Sequence, residues 1–192
     1  MSSIVIGSDS AGGATPSDRA PLPASSTCSR LLGEAHNEVC FALDGDAVIF
    51  GGESEAIFRE HGLEAFERHE RRSARAPLTR GPFGGALLLK LAELRRRCLR
   101  LDGTSRLRIT MVTARAAPAH ERVIRTLRSW DTTFDEMHFL GHRAKAPFLA
   151  AAGVDIFFDD RDAHCEAASR LVSAGRVPEL ASPQRHGDLK VR

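Results

Sequence analysis

Val-Cys-Phe-Ala-Leu-Asp-Gly-Asp-Ala-Val-Ile-Phe, residues 39–50, sets a short apolar run against an acidic turn. Val39 to Leu43 predicts a strand, and Asp44-Gly45-Asp46 closes it. The same unit recurs along the chain. Leu107 to Val112 predicts a second strand ending at Thr113, Glu136 to Leu140 a third, and Val154 to Phe158 a fourth that ends at Asp159-Asp160. Between them lie segments of helical period. Glu53 to Glu70 carries Ile57, Phe58, Leu63 and Phe66, with a break expected near Gly62. Phe83 to Leu99 places Leu87, Leu88, Leu91 and Leu94 on one face. Further helices are expected from Pro118 to Trp130, where proline suits a first turn, and over Ala144 to Ala152 and Ala163 to Val172.

Strands alternating with helices imply an α/β fold, a parallel sheet flanked by helices. The folded domain is expected over residues 35–180. Within it, residues 53–99 separate Asp44 from Thr113 and are expected to form a helical cap or lid. Residues 1–34 are rich in Ser, Ala, Gly and Pro without sustained periodicity and are expected to be a disordered leader. Residues 181–192 are expected to be a flexible tail.

In parallel sheets ligands bind at the carboxyl ends of the strands. Asp44 and Asp46, Thr113, and Asp159 with Asp160 each follow a predicted strand, and Lys145 lies just beyond another. Carboxylates, a hydroxyl and one lysine suit phosphoryl transfer. A divalent magnesium ion takes oxygen ligands, so Asp44, Asp46, Asp159 and Asp160 are the candidate metal ligands. With that charge and Lys145 neutralising a phosphate, Asp44 is the candidate nucleophile and Asp46 the candidate acid and base. Thr113 would donate to a phosphate oxygen. Arg115 reads either as a phosphate contact or as the partner of a nearby acid, and Phe50 either as a base-stacking ring or as core. An Asp-x-Asp after a strand also occurs in metal-dependent glycosyltransferases. A receiver domain uses similar groups but phosphorylates an Asp after a middle strand, so the order here favours a phosphatase.

Composition narrows the field. Hydrophobic residues make up 42% of 192 and charged residues 27%, with a net charge of +2. That balance excludes a polycation built for nucleic acid. The arginine-rich stretch from Arg71 to Arg100 reads first as a solvated face, and it lacks an aromatic platform for single strands. Cys28, Cys40, Cys98 and Cys165 contain no CxxC pair, the usage of reduced thiols in a cytoplasm. No apolar run approaches the roughly 18 residues of a membrane span. His138, His142, His164 and Cys165 lack a repeated zinc-ligand spacing.

The stretch from Phe41 to Phe50 resembles the first motif of the haloacid dehalogenase superfamily, in the form found in the cytosolic 5'-nucleotidase I family. Glu53-Ser54-Glu55, His61-Gly62-Leu63, Pro77-Leu78 with Gly81-Pro82, and Val112-Thr113-Ala114-Arg115 are similar to the same family. So are Thr126 to Trp130, Phe139-Leu140-Gly141 with Lys145, and Ile156 to Asp160. The likeness runs from about Glu38 to His164. It implies a Rossmann-like fold with a small helical cap insertion, and magnesium-dependent hydrolysis of nucleoside 5'-monophosphates. By that likeness Asp44 is the nucleophile, Asp46 the acid and base, Thr113 and Lys145 bind phosphate, and Asp159 holds the metal. Phe50 and Glu53 are the expected substrate contacts.

Two positions depart from the family pattern: Gly52 stands where an acid is usual, and His142-Arg143-Ala144 replaces a glycine-rich approach to Lys145. Relatives carry a longer region before the first motif, which self-association into a homo-oligomer is one way to supply. The rival expectations are a phosphatase for another small phosphoester, and a non-catalytic module that binds a nucleotide or a partner.

Overall fold

The structure, a computed structural model, describes residues 3–6, 38–103 and 105–178. Six parallel strands form one sheet in the order β1-β4-β3-β2-β5-β6. They are β1 (Ser3–Ile6), β2 (Val39–Leu43), β3 (Leu107–Thr113), β4 (Glu136–Phe139), β5 (Ile156–Asp159) and β6 (Ser173–Arg176). The helices are α1 (Glu53–Arg72), α2 (Ala86–Arg97), α3 (His120–Ser129), α4 (Lys145–Ala151) and α5 (Asp162–Ser169). This is the expected α/β fold of Rossmann-like type.

The apolar strand signature explains why β2 is central. Leu43 and Ala42 are fully buried, and the two faces of the sheet carry separate cores. On one face Leu43, Ile109 and Met111 pack with Leu88 and Leu91 of α2 and Val123 and Leu127 of α3. On the other, Cys40, Ala42, Val112 and Phe157 pack with Leu149 of α4 and Ala168 of α5. A parallel sheet covered on both sides needs apolar side chains in both directions, which is why its strands read as near-continuous apolar runs.

Two strands were not foreseen. Ser3–Ile6 pairs with β4 at the sheet edge, in register from Ser3 opposite Glu136 to Ile6 opposite Phe139. These four residues therefore depart from the expected disordered leader. Ile4, Val5 and Ile6 are β-branched, and the ladder of β4 satisfies the backbone of so short a run. Residues 7–34 of that leader and the tail 181–192 lie outside the described residues. Ser173–Arg176 extends the opposite edge as β6, although Ser-Ala-Gly-Arg carries no strand signature. There the pairing with β5 outweighs weak local propensity.

The expected lid divides in two. Helix α2 belongs to the core layer through Leu88 and Leu91. Helix α1 stands against the rim of the sheet and buries only Ser54 and Glu70. Gly62, at φ +77°, breaks α1 where its conformation suits a residue without a Cβ. The loop leading into α2 clamps the acidic turn from below. Gly81 N–H donates to Ile49 O at 2.8 Å and Phe83 N–H to Val48 O at 2.9 Å. A Cβ on Gly84 would meet the Ile49 carbonyl oxygen at 1.8 Å, so this approach requires glycine.

The order of strands reverses at β2, since β3 lies on one side and β5 on the other. Leu43 is in register with Met111 of β3 and Phe158 of β5. The carboxyl ends of three strands thus meet at one level, at the switch point where α/β sheets hold their ligands.

Candidate active site

Asp44 is the first residue beyond β2. Its N–H donates to Phe158 O at 2.9 Å and its Oδ1 accepts from Gly45 N–H at 2.7 Å. The turn that follows is wide and closed by Phe50 N–H donating to Gly45 O at 2.8 Å. Inside it Ala47 has φ +58°, a left-handed conformation that costs a residue with a Cβ. That reversal carries the chain back into the core while leaving Asp46 at the rim.

Lys145, first residue of α4, lies 2.8 Å from Asp44 Oδ1 and 2.7 Å from Asp159 Oδ2. All of these groups are buried. Asp159 ends β5 and also accepts from Arg161 N–H at 2.9 Å and from His164 Nδ1 at 3.1 Å. Asp160 faces Arg59 across 3.8 Å. Single carboxylate oxygens of Asp44, Asp159 and Asp160 lie within 4.8 Å of one another. Thr113 is buried at the end of β3, its Oγ1 accepting from Arg115 N–H at 3.2 Å. A Cβ on Gly45 would approach that hydroxyl oxygen to 3.0 Å, so the hydroxyl adjoins the turn.

Burial sets the titration of these carboxylates. It pushes Asp44 up to about 7; the Lys145 ammonium opposes the shift and the neighbouring Asp159 reinforces it. Burial also acts on Asp159, but the His164 hydrogen bond and the Lys145 ammonium override it and hold that carboxyl down. Asp160 is pushed up to about 6 by burial, Asp159 and Glu55. Burial opposes the charge on Lys145, but Asp44 and Asp159 raise it above the ordinary lysine range.

The structure thus brings together Asp44, Lys145, Asp159 and Asp160, with Thr113 adjoining. It separates Asp46 from the trio of carboxylates that converge. Asp46 is gripped by Arg115, whose Nε and Nη2 each donate to it at 2.7 Å. Arg115 is itself buried, and its Nη1 pairs with Glu70 at 2.5 Å. Its guanidinium is committed to acids, the second of the two roles the sequence left open. Burial opposes the Arg115 charge, yet Asp46 and Glu70 hold it firmly protonated.

Phe50 does not reach the site. It is fully buried in the core, with its ring 5.6 Å from that of Trp130. The wide turn that leaves Asp46 at the rim returns the chain to the core, where Phe50 packs. Glu53 sits in the first turn of α1 beside His69 at 3.5 Å and Arg122 at 3.8 Å. It does not line the cavity at the rim.

That cavity, about 360 Å³, has Asp46, Arg115 and Lys145 on its floor side. Phe58, Leu63 and Phe66 of α1 form one wall, and His142, Arg143 and His164 contribute the other. Phe58 and Phe66 meet edge to face at 6.2 Å and 84°. In the sequence Phe58 and Phe66 read only as helix-periodic apolar positions. Their service as a pocket wall follows from the seating of α1 against the rim, which no periodicity displays.

Residues 20–184 match the 5'-nucleotidase family. The chain belongs to that family. Human cytosolic 5'-nucleotidase 1B is 40% identical over 135 residues, which are 69% of this chain. The matched segment is 22% of that relative, so the chain spans about a fifth of its length. The family match covers the whole rim, from the Asp44 turn through Thr113 and Lys145 to Asp159.

Sequence reasoning missed Glu70, Arg122, Ser54 and Glu55 as parts of the site's frame. Each acts through partners far off in the chain. Glu70 accepts from Ser54 Oγ at 2.7 Å and from Arg122 Nη1 at 3.0 Å, and Glu55 pairs with Arg161. His164, which lacks zinc-ligand spacing in the sequence, holds Asp159 as a polar partner, and among the described residues the one convergent metal-ligating group is carboxylate.

Proposed function

We propose that this chain is a magnesium-dependent phosphoric monoester hydrolase. Its substrates are nucleoside 5'-monophosphates, cleaved to nucleoside and phosphate through an aspartyl-phosphate on Asp44. The observation that carries the reading is the contact of Lys145 with both Asp44 and Asp159 at the switch point, beneath an aromatic-walled cavity. The family match and the printed name of the human relative support nucleotide as the substrate class.

The donor set fits a hard cation. Three carboxylates, from Asp44, Asp159 and Asp160, converge closely, and all-oxygen ligation suits magnesium. When bound, that ion would supply charge neutralisation for the phosphate oxygens. Asp46, which the sequence added to the ligand set, is better assigned to proton transfer alone.

The side chains then divide the chemistry. Lys145 holds a phosphate oxygen and offsets the repulsion between the phosphate and the carboxylates. Thr113 orients the same group by its hydroxyl. A carboxylate oxygen of Asp44 forms a bond to phosphorus as the bond from phosphorus to the 5'-oxygen breaks. Asp46, in its acid form with the proton on an oxygen lone pair outside the Arg115 fork, gives that proton to the departing oxygen, so the nucleoside leaves as an alcohol. Asp46 next takes a proton from water, whose oxygen bonds to phosphorus while the bond to Asp44 breaks. Phosphate leaves and both carboxyls return to their starting state. Phe58 and Phe66 flank the base, and a volume of about 360 Å³ lies within the range of small-ligand pockets. No helix among the described residues is long and apolar enough to cross a membrane, and with the cytosolic relative this supports a cytoplasmic setting.

The test is phosphate release from a panel of nucleoside 5'-monophosphates and simple phosphoesters with magnesium, native chain against Asp44→Asn. Release confined to nucleotides and dependent on both magnesium and Asp44 bears out the reading. Equal turnover of all small phosphoesters replaces the substrate class, and no release by the folded chain ends the catalytic reading.

A further inference from the structure

We infer that Glu70 is a positioning residue for proton transfer, tying the seating of α1 to the orientation of Asp46 through Arg115. The inference rests on the reading of Asp46 as acid and base, and extends it to a residue 24 positions away that touches no substrate.

Glu70 is among the largest fully buried side chains of the protein, and it carries a charge. A buried carboxylate persists only where it is paired and hydrogen-bonded. Glu70 receives Arg115 Nη1 at 2.5 Å on Oε2, and Arg122 Nη1 at 3.0 Å with Ser54 Oγ at 2.7 Å on Oε1. Arg122 is fixed in turn by Ala76 O, which its Nε reaches at 2.9 Å. Ser54 lies in the first turn of α1 and Glu70 in its last, on opposite sides of the Gly62 break. The two halves of the bent helix are therefore joined at this carboxylate.

Arg115 carries the arrangement to the site. Its remaining donors, Nε and Nη2, form a two-point fork on Asp46, both at 2.7 Å. A planar fork bound at both ends has one orientation, which a single contact would not impose. Phe66 lies 5.3 Å from the same guanidinium and lines the cavity, so the group that aims Asp46 also touches the wall proposed to meet the base. Without Glu70, Arg115 retains Asp46 but loses the anchor that sets its angle. Proton donation to the leaving oxygen is sensitive to such an angle.

Glu70→Gln keeps the shape and the Ser54 contact while removing the charge. The measurement is the rate of the first leaving-group release under single-turnover conditions, with two substrates. A nucleoside 5'-monophosphate expels an alkoxide that needs a proton, whereas 2,4-dinitrophenyl phosphate expels a stabilised phenolate that does not. Glu70→Gln is expected to slow nucleoside release on the order of 10-fold to 100-fold and to leave dinitrophenolate release nearly unchanged. Equal slowing of both releases, or of neither, overturns the inference.

Asp46→Asn, measured alongside, separates the two layers. If it too fails to distinguish the leaving groups, the acid–base reading of Asp46 falls and carries the inference with it. If Asp46→Asn distinguishes them and Glu70→Gln does not, the inference alone falls. Should Glu70→Gln not fold, Arg115→Lys decides by the same comparison, since it keeps the cation and loses the fork on Asp46.

Discussion

Lys145 Nζ stands 2.8 Å from Asp44 Oδ1, so the cation proposed to hold phosphate already touches the oxygen proposed to attack it. The contact exists because α4 begins at Lys145 after a turn at Gly141, whose φ is +60°. Both residues are buried, and Asp159 completes the group. A site built this way sets two buried carboxylates against one buried cation, so removing the cation and removing a carboxylate shift the balance in opposite directions.

Lys145→Met removes the central cation and leaves Asp44 and Asp159 facing each other. Phosphate release is expected to fall by at least about 100-fold. In metal-free buffer at pH 8 the fold is expected to lose about 3 kcal/mol, the scale of a broken buried pair. Urea unfolding with and without magnesium checks this, with added magnesium restoring part of the loss. Unchanged stability in both buffers would show that the trio is not electrostatically coupled.

Asp44→Asn tests the titration. Burial raises Asp44 to about 7, so the metal-free fold resists its ionisation. The unfolded chain ionises it at the ordinary carboxylate value, and stability therefore declines as pH rises from that value to about 7, remaining at its lowest contribution above it. Removing the charge relieves this cost. The metal-free variant is expected to melt several degrees above the native chain at pH 8, with the gap narrowing toward pH 5, while phosphate release is abolished. Scanning calorimetry across pH, beside the release assay, gives both readings; a gap that widens toward pH 5 contradicts the shift.

Phe58→Ala opens the cavity wall without touching Arg115. Loss of one stacking surface corresponds to about 1–3 kcal/mol of base contact. KM for the preferred nucleoside monophosphate is expected to rise about 10-fold, with turnover of a small phosphoester lacking a base unaltered. Steady-state kinetics on both substrates decides it, and an equal rise for both would place the base elsewhere.

Phe50→Ala separates core from contact. A fully buried phenylalanine cut to alanine costs about 3–5 kcal/mol. Denaturant unfolding is expected to show that loss, with KM for nucleotide little changed in the fraction that remains folded. A large rise in KM with native stability would restore Phe50 as a substrate contact.

Much of this was legible in the order of the residues. Apolar runs closed by Asp44, Thr113 and Asp159 located β2, β3 and β5, because strands covered on both faces are mostly apolar, Arg108 and Thr110 being the exceptions in β3. The Gly62 break of α1 was visible as well, since glycine weakens a helix interior locally. Less was legible at the sheet edges. β6 has almost no apolar signature, and its strand is set by the ladder of its neighbour.

By itself, then, the sequence determined the alternation of elements, which strand ends would bear Asp44, Thr113 and Asp159, and that Lys145 would follow another, for these follow from local periodicity and from the rule that ligands meet the carboxyl ends of parallel strands. Only the tertiary structure decided the partners. That Arg115 grips Asp46 and Glu70, that Phe50 turns into the core and that Phe58 and Phe66 wall the cavity depend on contacts between residues from 8 to 80 positions apart. Such pairings arise from packing in three dimensions, and no period in the chain encodes them.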